Sequence, residues 1–445
     1  MKRLILIALI LITLLIQTLP AFGLASAHDM PIMLARWFGV LLLMYHAYHS
    51  NTLTTWVLVA MIGGVAIGFD MPELAKHLQI VSKIFLRLIK TIIAPLIFAT
   101  LVVGIAGHSN MKQLGRLGWK SMLYFEVVTI IALFIGVIAI NISKAGEGLN
   151  MDLAQAVELP VTKARGFNEI ILHIFPENIA KSIVEGEVLQ IVIFSVIFGV
   201  ALAMVSEKHK APFMTFAESL SEIMFKFTTI VMYFAPFGVA AAMAYTVGHM
   251  GIGVLLNLLK LLATLYVALL AFLIIVLIPV ALAFKISIVK FIKAIAEPVS
   301  IAFATTSSEA ALPKAMTVME KFGVPRKIIA FVMPMGYSFN LDGTTLYLSL
   351  AAVFVAQAAK IEMSFEQQLM MVFTLMITSK GVAGVPRASL VILMGTASSF
   401  GLPEWPIFII IGIDELMDMA RTSVNVIGNC LATAVIAKWE GELEG

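Results

Sequence analysis

Thr378-Ser379-Lys380-Gly381-Val382-Ala383-Gly384-Val385-Pro386-Arg387 interrupts two apolar runs, residues 369–377 and 390–394. Neither run alone can cross a hydrocarbon layer ~30 Å thick. A second polar knot, Thr305-Thr306-Ser307-Ser308-Glu309, stands between residues 286–302 and 310–318. Non-helical backbone is tolerated at membrane depth only where it is buried in protein or lines a wet cavity. Each helix–knot–helix unit therefore reads as a re-entrant hairpin. Paired broken segments in two halves of a carrier point to a solute site near the membrane midplane.

The composition agrees with a membrane setting. Of 445 residues, 60% are hydrophobic and 13% charged, against roughly 45–50% and 25% in soluble domains. That excludes a soluble enzyme, a disordered protein and a coiled coil. The net charge is +3 without a basic tract, so nucleic acid is not an expected partner. The single cysteine, Cys430, excludes a disulfide framework and a cysteine metal site. Charge-free runs at 51–69, 91–107, 127–142, 189–206, 227–259 and 261–284 predict spanning helices or parts of them. The expected fold class is an all-α polytopic membrane protein with the lipid bilayer as its surroundings.

Basic residues orient these runs. Lys112, Arg116 and Lys120, then Lys208 and Lys210, then Lys285, Lys290 and Lys293 mark three loops expected on the cytoplasmic side. Residues 143–188 carry seven acids against four bases and are expected outside. The first 49 residues form a hydrophobic extension. Met1-Lys2-Arg3, the apolar run 4–16 and Ala25-Ser26-Ala27 read as a signal peptide, or else as an extra helix. The core is expected over 50–440, with the first hairpin at 286–318, a broken helix at 326–358, the second hairpin at 365–399 and a last helix at 403–438.

The last helix carries the most informative pattern. Asp414, Asp418, Arg421, Asn425 and Asn429 follow one another at spacings of four, three, four and four. They share one helical face, opposite Ile, Met, Val and Ala. An isolated charge at the bilayer centre costs ~2.5–3.5 kcal/mol or more. The stripe is either an ion-pair ladder between helices or a solute pathway. The nearby hairpins favour the pathway, with Arg421 poised for a bidentate hold on a carboxylate.

Gly336-Tyr337-Ser338-Phe339-Asn340-Leu341-Asp342-Gly343-Thr344 interrupts another apolar helix. Its freed carbonyls, with Asn340 and Asp342, offer hard oxygen ligands to a small cation such as sodium. Thr344 can face a solute. The alternative is a glycine kink relieved by local hydrogen bonds. At the hairpin tips, Ser307, Ser308 and Gly384-Val385-Pro386 would direct helix amino termini at an anion. Arg387 reads best as a base snorkelling to the interface.

Glu126, inside a span, and Glu309, beside the first tip, read as lone intramembrane carboxylates and so as proton carriers. For Glu126 a structural hydrogen bond is the competing reading. The motifs GxSxG, HExxH and GxxxxGK[ST] are absent from the sequence, which leaves a membrane hydrolase or an ATP-driven pump without its parts. No enzymatic cofactor is expected.

Four motifs together, TSSEAALP (306–313), GYSFNLDGT (336–344), SKGVAGVP (379–386) and DMARTSVNVIGN (418–429), resemble the dicarboxylate/amino acid:cation symporter family, which includes the glutamate transporters. The resemblance runs over roughly residues 50–440. It implies eight spanning helices, two hairpins and inverted repeats. A scaffold of spans one, two, four and five would form a homotrimer, and a transport domain of the remaining spans and both hairpins would move as an elevator. Arg421 would hold a side-chain carboxylate and Asp418 an α-amino group. Asn425, Thr422, Thr344 and Ser308 would bond the solute, and Val385 would close the outer gate. Asn340 and Asp342, with Ser338, Thr129, Asn425 and Asn429, would belong to the cation path.

Departures from the family pattern point to its proton-coupled bacterial branch. Asn429 stands where sodium-coupled members carry Asp. Lys380 and Val382 replace an apolar residue and Thr. Phe125 and Val128 replace oxygen-bearing side chains, and Arg387 stands where Gly is expected. The expected function is a secondary importer of a small acidic solute, glutamate or aspartate, in the bacterial inner membrane. Protons drive it, with sodium as a second candidate coupling ion. A C4-dicarboxylate carrier is the alternative, against which Asp418 argues because a dicarboxylate has no amino group to neutralise it. A channel is the competing class, and saturable counterflow would separate carrier from pore.

Overall fold

A computed structural model of the chain describes residues 29–50, 52–106, 111–149, 172, 175–185, 188–380 and 388–443. The expected signal sequence, most of the acidic stretch 143–188, and Gly381 to Arg387 lie outside the described residues. Among the described residues the chain is helical, with no strand. Six helical stretches are long and apolar enough to cross a membrane, and a bent pair makes a seventh.

Helix α1 (Met30–Ser50) lies on α2 (Leu53–Asp70). Arg36 fastens the two, pairing with Asp70 at 2.5 Å and lying over the Phe69 ring. The short α3 (Pro72–His77) leads into α4 (Gln79–Ala106), and α5 (Met111–Ser143) follows. After α6 (Ile179–Glu185) come α7 (Val188–Met204), α8 (Glu207–Met232) and α9 (Ala235–Met250). Helices α2 and α9 pack closely because Gly64 and Gly68 bring α2 against the Ala240 and Ala244 carbonyls. This small-xxx-small contact is a common way for helices to meet in lipid. Helix α4 packs on α7, α8 and α9.

The second group begins with α5 and continues with α10 (Val254–Phe272), a π-turn at Leu273–Leu277 and α11 (Ile278–Ala283). The π-turn precedes Pro279, whose ring and missing N–H disturb the regular ladder. Then come α12 (Ile288–Thr305), α13 (Ser308–Lys321), α14 (Arg326–Phe339), α15 (Asp342–Ala358), α16 (Phe365–Thr378), α17 (Ala388–Ser399) and α18 (Trp405–Trp439). Helix α15 is buried along nearly its whole length, between α5 and α18. Ser349 donates to the Leu133 carbonyl and Gln357 to that of Ile140, zipping α15 to α5.

Several expectations change. The run 227–259 is not one span. It is divided among α8, α9 and α10, with a 47° bend between α8 and α9. Pro236 in the first turn of α9 and Gly251, at φ 77°, supply the breaks. The basic segments expected as loops are mostly helical: Arg116 and Lys120 lie in α5, Lys208 and Lys210 in α8, Lys290 and Lys293 in α12. A helix can outlast the hydrocarbon layer while its lysines reach water. The first knot is tighter than its composition suggests. Only Thr306 and Ser307 leave the helix, with Thr306 left-handed at φ 52° and Ser307 capping α13 through the Ala310 amide. The break in 336–344 is likewise two residues, Asn340 and Leu341. Helix α18 is buried on nearly all sides rather than on one face.

Candidate functional site

The polar face of α18 meets the broken α14–α15 pair, with α12 and α13 also packed on α18. Asp414, Asp418, Arg421, Thr422, Asn425 and Asn429 are all buried. Arg421 is gripped within its own helix. Its Nε donates to Asp418 Oδ1 at 2.9 Å, its Nη1 to Asp414 Oδ1 at 2.8 Å and its Nη2 to Asp414 Oδ2 at 3.3 Å. Three of the five guanidinium N–H donors are thereby used. The Tyr347 ring lies under the guanidinium at 4.2 Å and its hydroxyl donates to Asp414 Oδ1 at 3.3 Å. Thr422 donates to Asp418 Oδ1 at 2.8 Å. One guanidinium thus faces two carboxylates, which leaves the cluster receptive to an added positive group.

Asn425 serves two helices. Its Oδ1 accepts from the Gly343 amide at 2.8 Å and the Thr344 amide at 3.2 Å, capping the amino terminus of α15 from outside. Its Nδ2 donates to Thr344 Oγ1 at 2.9 Å. Both expected solute contacts, Asn425 and Thr344, are therefore bonded to each other. Gly343 permits this approach, since a Cβ there would sit 2.2 Å from the Arg421 carbonyl. Gly343→Ala should lower stability by about 1–3 kcal/mol through overpacking, measured as an earlier thermal unfolding transition of the purified protein.

Below this cluster lies a group of oxygens. Asn340 Nδ2 donates to Asp342 Oδ2 and to Asn429 Oδ1, each at 3.3 Å. The Oδ1 atoms of Asn340 and Asp342 are buried without a hydrogen-bond partner. A buried carboxylate and amide with unmet acceptor capacity fit a bound cation. Phe125 and Val128 are buried, and Phe125 faces Gly336 next to Asn429.

Glu126 is not a lone carboxylate. It pairs with Lys380 Nζ at 3.2 Å and is about one-third exposed. The same ammonium donates to the Phe339 carbonyl at 3.0 Å and to Thr129 Oγ1 at 3.4 Å. The lysine of the second polar knot thus reaches back to the α14 break. Beside it a cavity of about 620 Å³ opens between α4, α5, α7, α14 and α16, with Glu126 and Lys380 its ionisable wall residues. Glu309 is exposed, so burial does not support it as a proton carrier, while its neighbour Ser308 is buried in the first turn of α13. Ser338 sits in the last turn of α14. Val385 and Arg387 lie outside the described residues.

Two site residues escaped the sequence reading. Asp414 belonged to the stripe but carried no assigned role, although it makes the bidentate contact to Arg421. Tyr347, whose ring lies under the guanidinium, is outside every motif singled out from the sequence. A tyrosine five residues past Asp342, in a helix with no other phenol, was the available signal.

Residues 53–439 match the model of the sodium:dicarboxylate symporter family. The proton/sodium-glutamate symport protein of Bacillus caldotenax is 43% identical over 87% of this chain and 94% of its own length. The proton/glutamate-aspartate symporter of Escherichia coli (strain K12) is 40% identical over 93% of each chain. The C4-dicarboxylate transport protein of Solibacter usitatus (strain Ellin6076) is 41% identical over 88% and 94%. With a match of that extent laid over a buried polar helix and its apolar surroundings, the chain belongs to the sodium:dicarboxylate symporter family, as a multi-pass cell-membrane transporter and not an enzyme.

Proposed function

We propose that the protein imports acidic amino acids, glutamate or aspartate, in symport with protons. The observation that carries this reading is the buried Asp414–Arg421–Asp418 cluster. A guanidinium can hold the solute's side-chain carboxylate, and the surplus of carboxylate over guanidinium favours the solute's ammonium. A C4-dicarboxylate would bring two more negative charges to the same place, so the relatives named for that transport are the second reading. Thr422, Asn425, Thr344, Ser308 and Val385 complete the proposed solute contacts.

The coupling cation's proposed site is Asn340 and Asp342, with Asn429, Ser338 and Thr129 as further candidates. A proton or a sodium ion would satisfy the buried Asp342 carboxylate. Glu126, held in an ion pair, and Glu309, exposed, are weaker proton carriers than their sequence setting suggested. The two-residue turn at Thr306 and the packing of α12 on α13 support the first re-entrant hairpin. Eight spans, a transport domain moving against a scaffold and a homotrimer belong to the same proposal through the family resemblance.

The test is uptake into liposomes by purified protein, with proton and sodium gradients imposed separately. An inward proton gradient without sodium should drive glutamate accumulation, and Asp342→Asn should abolish that response. Accumulation that requires sodium and ignores the proton gradient would refute proton coupling.

A further inference from the structure

We propose that the Lys380 ammonium is a built-in cation, holding by covalent tether a position that a mobile coupling ion would otherwise have to fill. The inference rests on the symport reading above and concerns which ion the carrier needs.

Lys380 is buried at the end of α16. Taking an ammonium out of water costs several kcal/mol unless partners compensate it. Here its three N–H donors meet three different oxygens: the Phe339 carbonyl, the Thr129 hydroxyl and the Glu126 carboxylate. The carbonyl ends α14, where the aligned peptide dipoles concentrate negative charge. The Gly343 amide, which would bond this carbonyl in an unbroken helix, is instead held by Asn425. A carbonyl, a hydroxyl and a carboxylate are also the oxygen types that hard cations select.

The placement has a mechanical side. The three acceptors belong to α14 and α5, and the donor to the turn just past α16. One charge therefore fastens an arm of the second interrupted unit onto the helix break beside Asn340. A bound metal ion would make the same connection only while bound. The tethered ammonium makes it constantly, so the solute site is organised without sodium at that position.

Removing the ammonium should leave the oxygens facing one another and create a demand for sodium. The experiment compares wild type, Lys380→Arg and Lys380→Met, purified in detergent, in sodium chloride and in choline chloride of equal ionic strength. Thermal unfolding without solute is the first readout, because an ion that binds only the folded state raises its stability. Glutamate Kd is the second. Lys380→Met should melt higher in sodium than in choline, by a larger margin than wild type or Lys380→Arg. Its glutamate Kd should weaken about tenfold in choline and recover in sodium, a change of about 1.4 kcal/mol. Lys380→Gln, which keeps a donor for the Phe339 carbonyl, is judged by the same criterion if Lys380→Met does not fold. A sodium response no larger in the neutral variants than in wild type would overturn the proposal. Loss of glutamate binding by the wild type would instead sink the symport reading, leaving the solute-free thermal comparison to decide the role of Lys380.

Discussion

Arg421→Ala should abolish high-affinity binding of acidic amino acids. Truncating one member of a buried charge pair costs about 3–5 kcal/mol, which is about a hundredfold to a few thousandfold in Kd. The loss has two sources. The solute's carboxylate loses its bidentate partner, and Asp414 and Asp418 lose the guanidinium they share. The double variant Arg421→Ala with Asp414→Asn separates them, because it returns the cluster to its wild-type net charge while still lacking the carboxylate clamp. Both variants should bind small neutral amino acids better than glutamate, measured by competition in detergent or by exchange in liposomes. Glutamate and aspartate affinities unchanged from wild type would remove Arg421 from the solute site.

Asp418→Asn should invert the preference between solute classes. The asparagine Oδ1 can still accept from Arg421 Nε and from Thr422, so the geometry at 2.9 and 2.8 Å survives. What disappears is the negative charge. A hydrogen bond to a charged group is worth about 1.5–3 kcal/mol, so amino-acid affinity should fall about tenfold to a hundredfold. Succinate and malate, which lack an ammonium, should be spared or bound more tightly. Equal loss of every solute would assign Asp418 to positioning Arg421 alone. Unaltered glutamate affinity would refute the ammonium contact.

The parts of this site legible in the sequence are those confined to one helix. The spacing from Asp414 to Asn429 fixes a shared face, and the polar interruptions locate the breaks. Partnerships across the chain were not legible. Asn425 is assigned to the solute through the family resemblance, yet its oxygen caps a helix more than eighty residues earlier. Lys380 sits in a polar knot, and only the packing of α16 against α5 and α15 brings it to Glu126 and the Phe339 carbonyl. The apolar length of 227–259 does not show where one helix ends and the next begins; Pro236 and Gly251 do. Arg116 and Lys120 were taken for a loop because charge marks the membrane edge. It does not mark where the helix stops, and both residues close on Glu440 beyond α18.

The burial of α18 on nearly every side has a consequence for how the protein is made. This helix is not among the six stretches apolar enough to cross by themselves. Asp414, Asp418 and Arg421 would each cost about 2.5–3.5 kcal/mol if inserted alone at the bilayer centre. Its polar partners, Tyr347 and the amides of Gly343 and Thr344, lie on α15, which the ribosome produces earlier. The last helix therefore enters the membrane against helices already assembled, and its neighbours, rather than lipid, are the solvent into which it partitions.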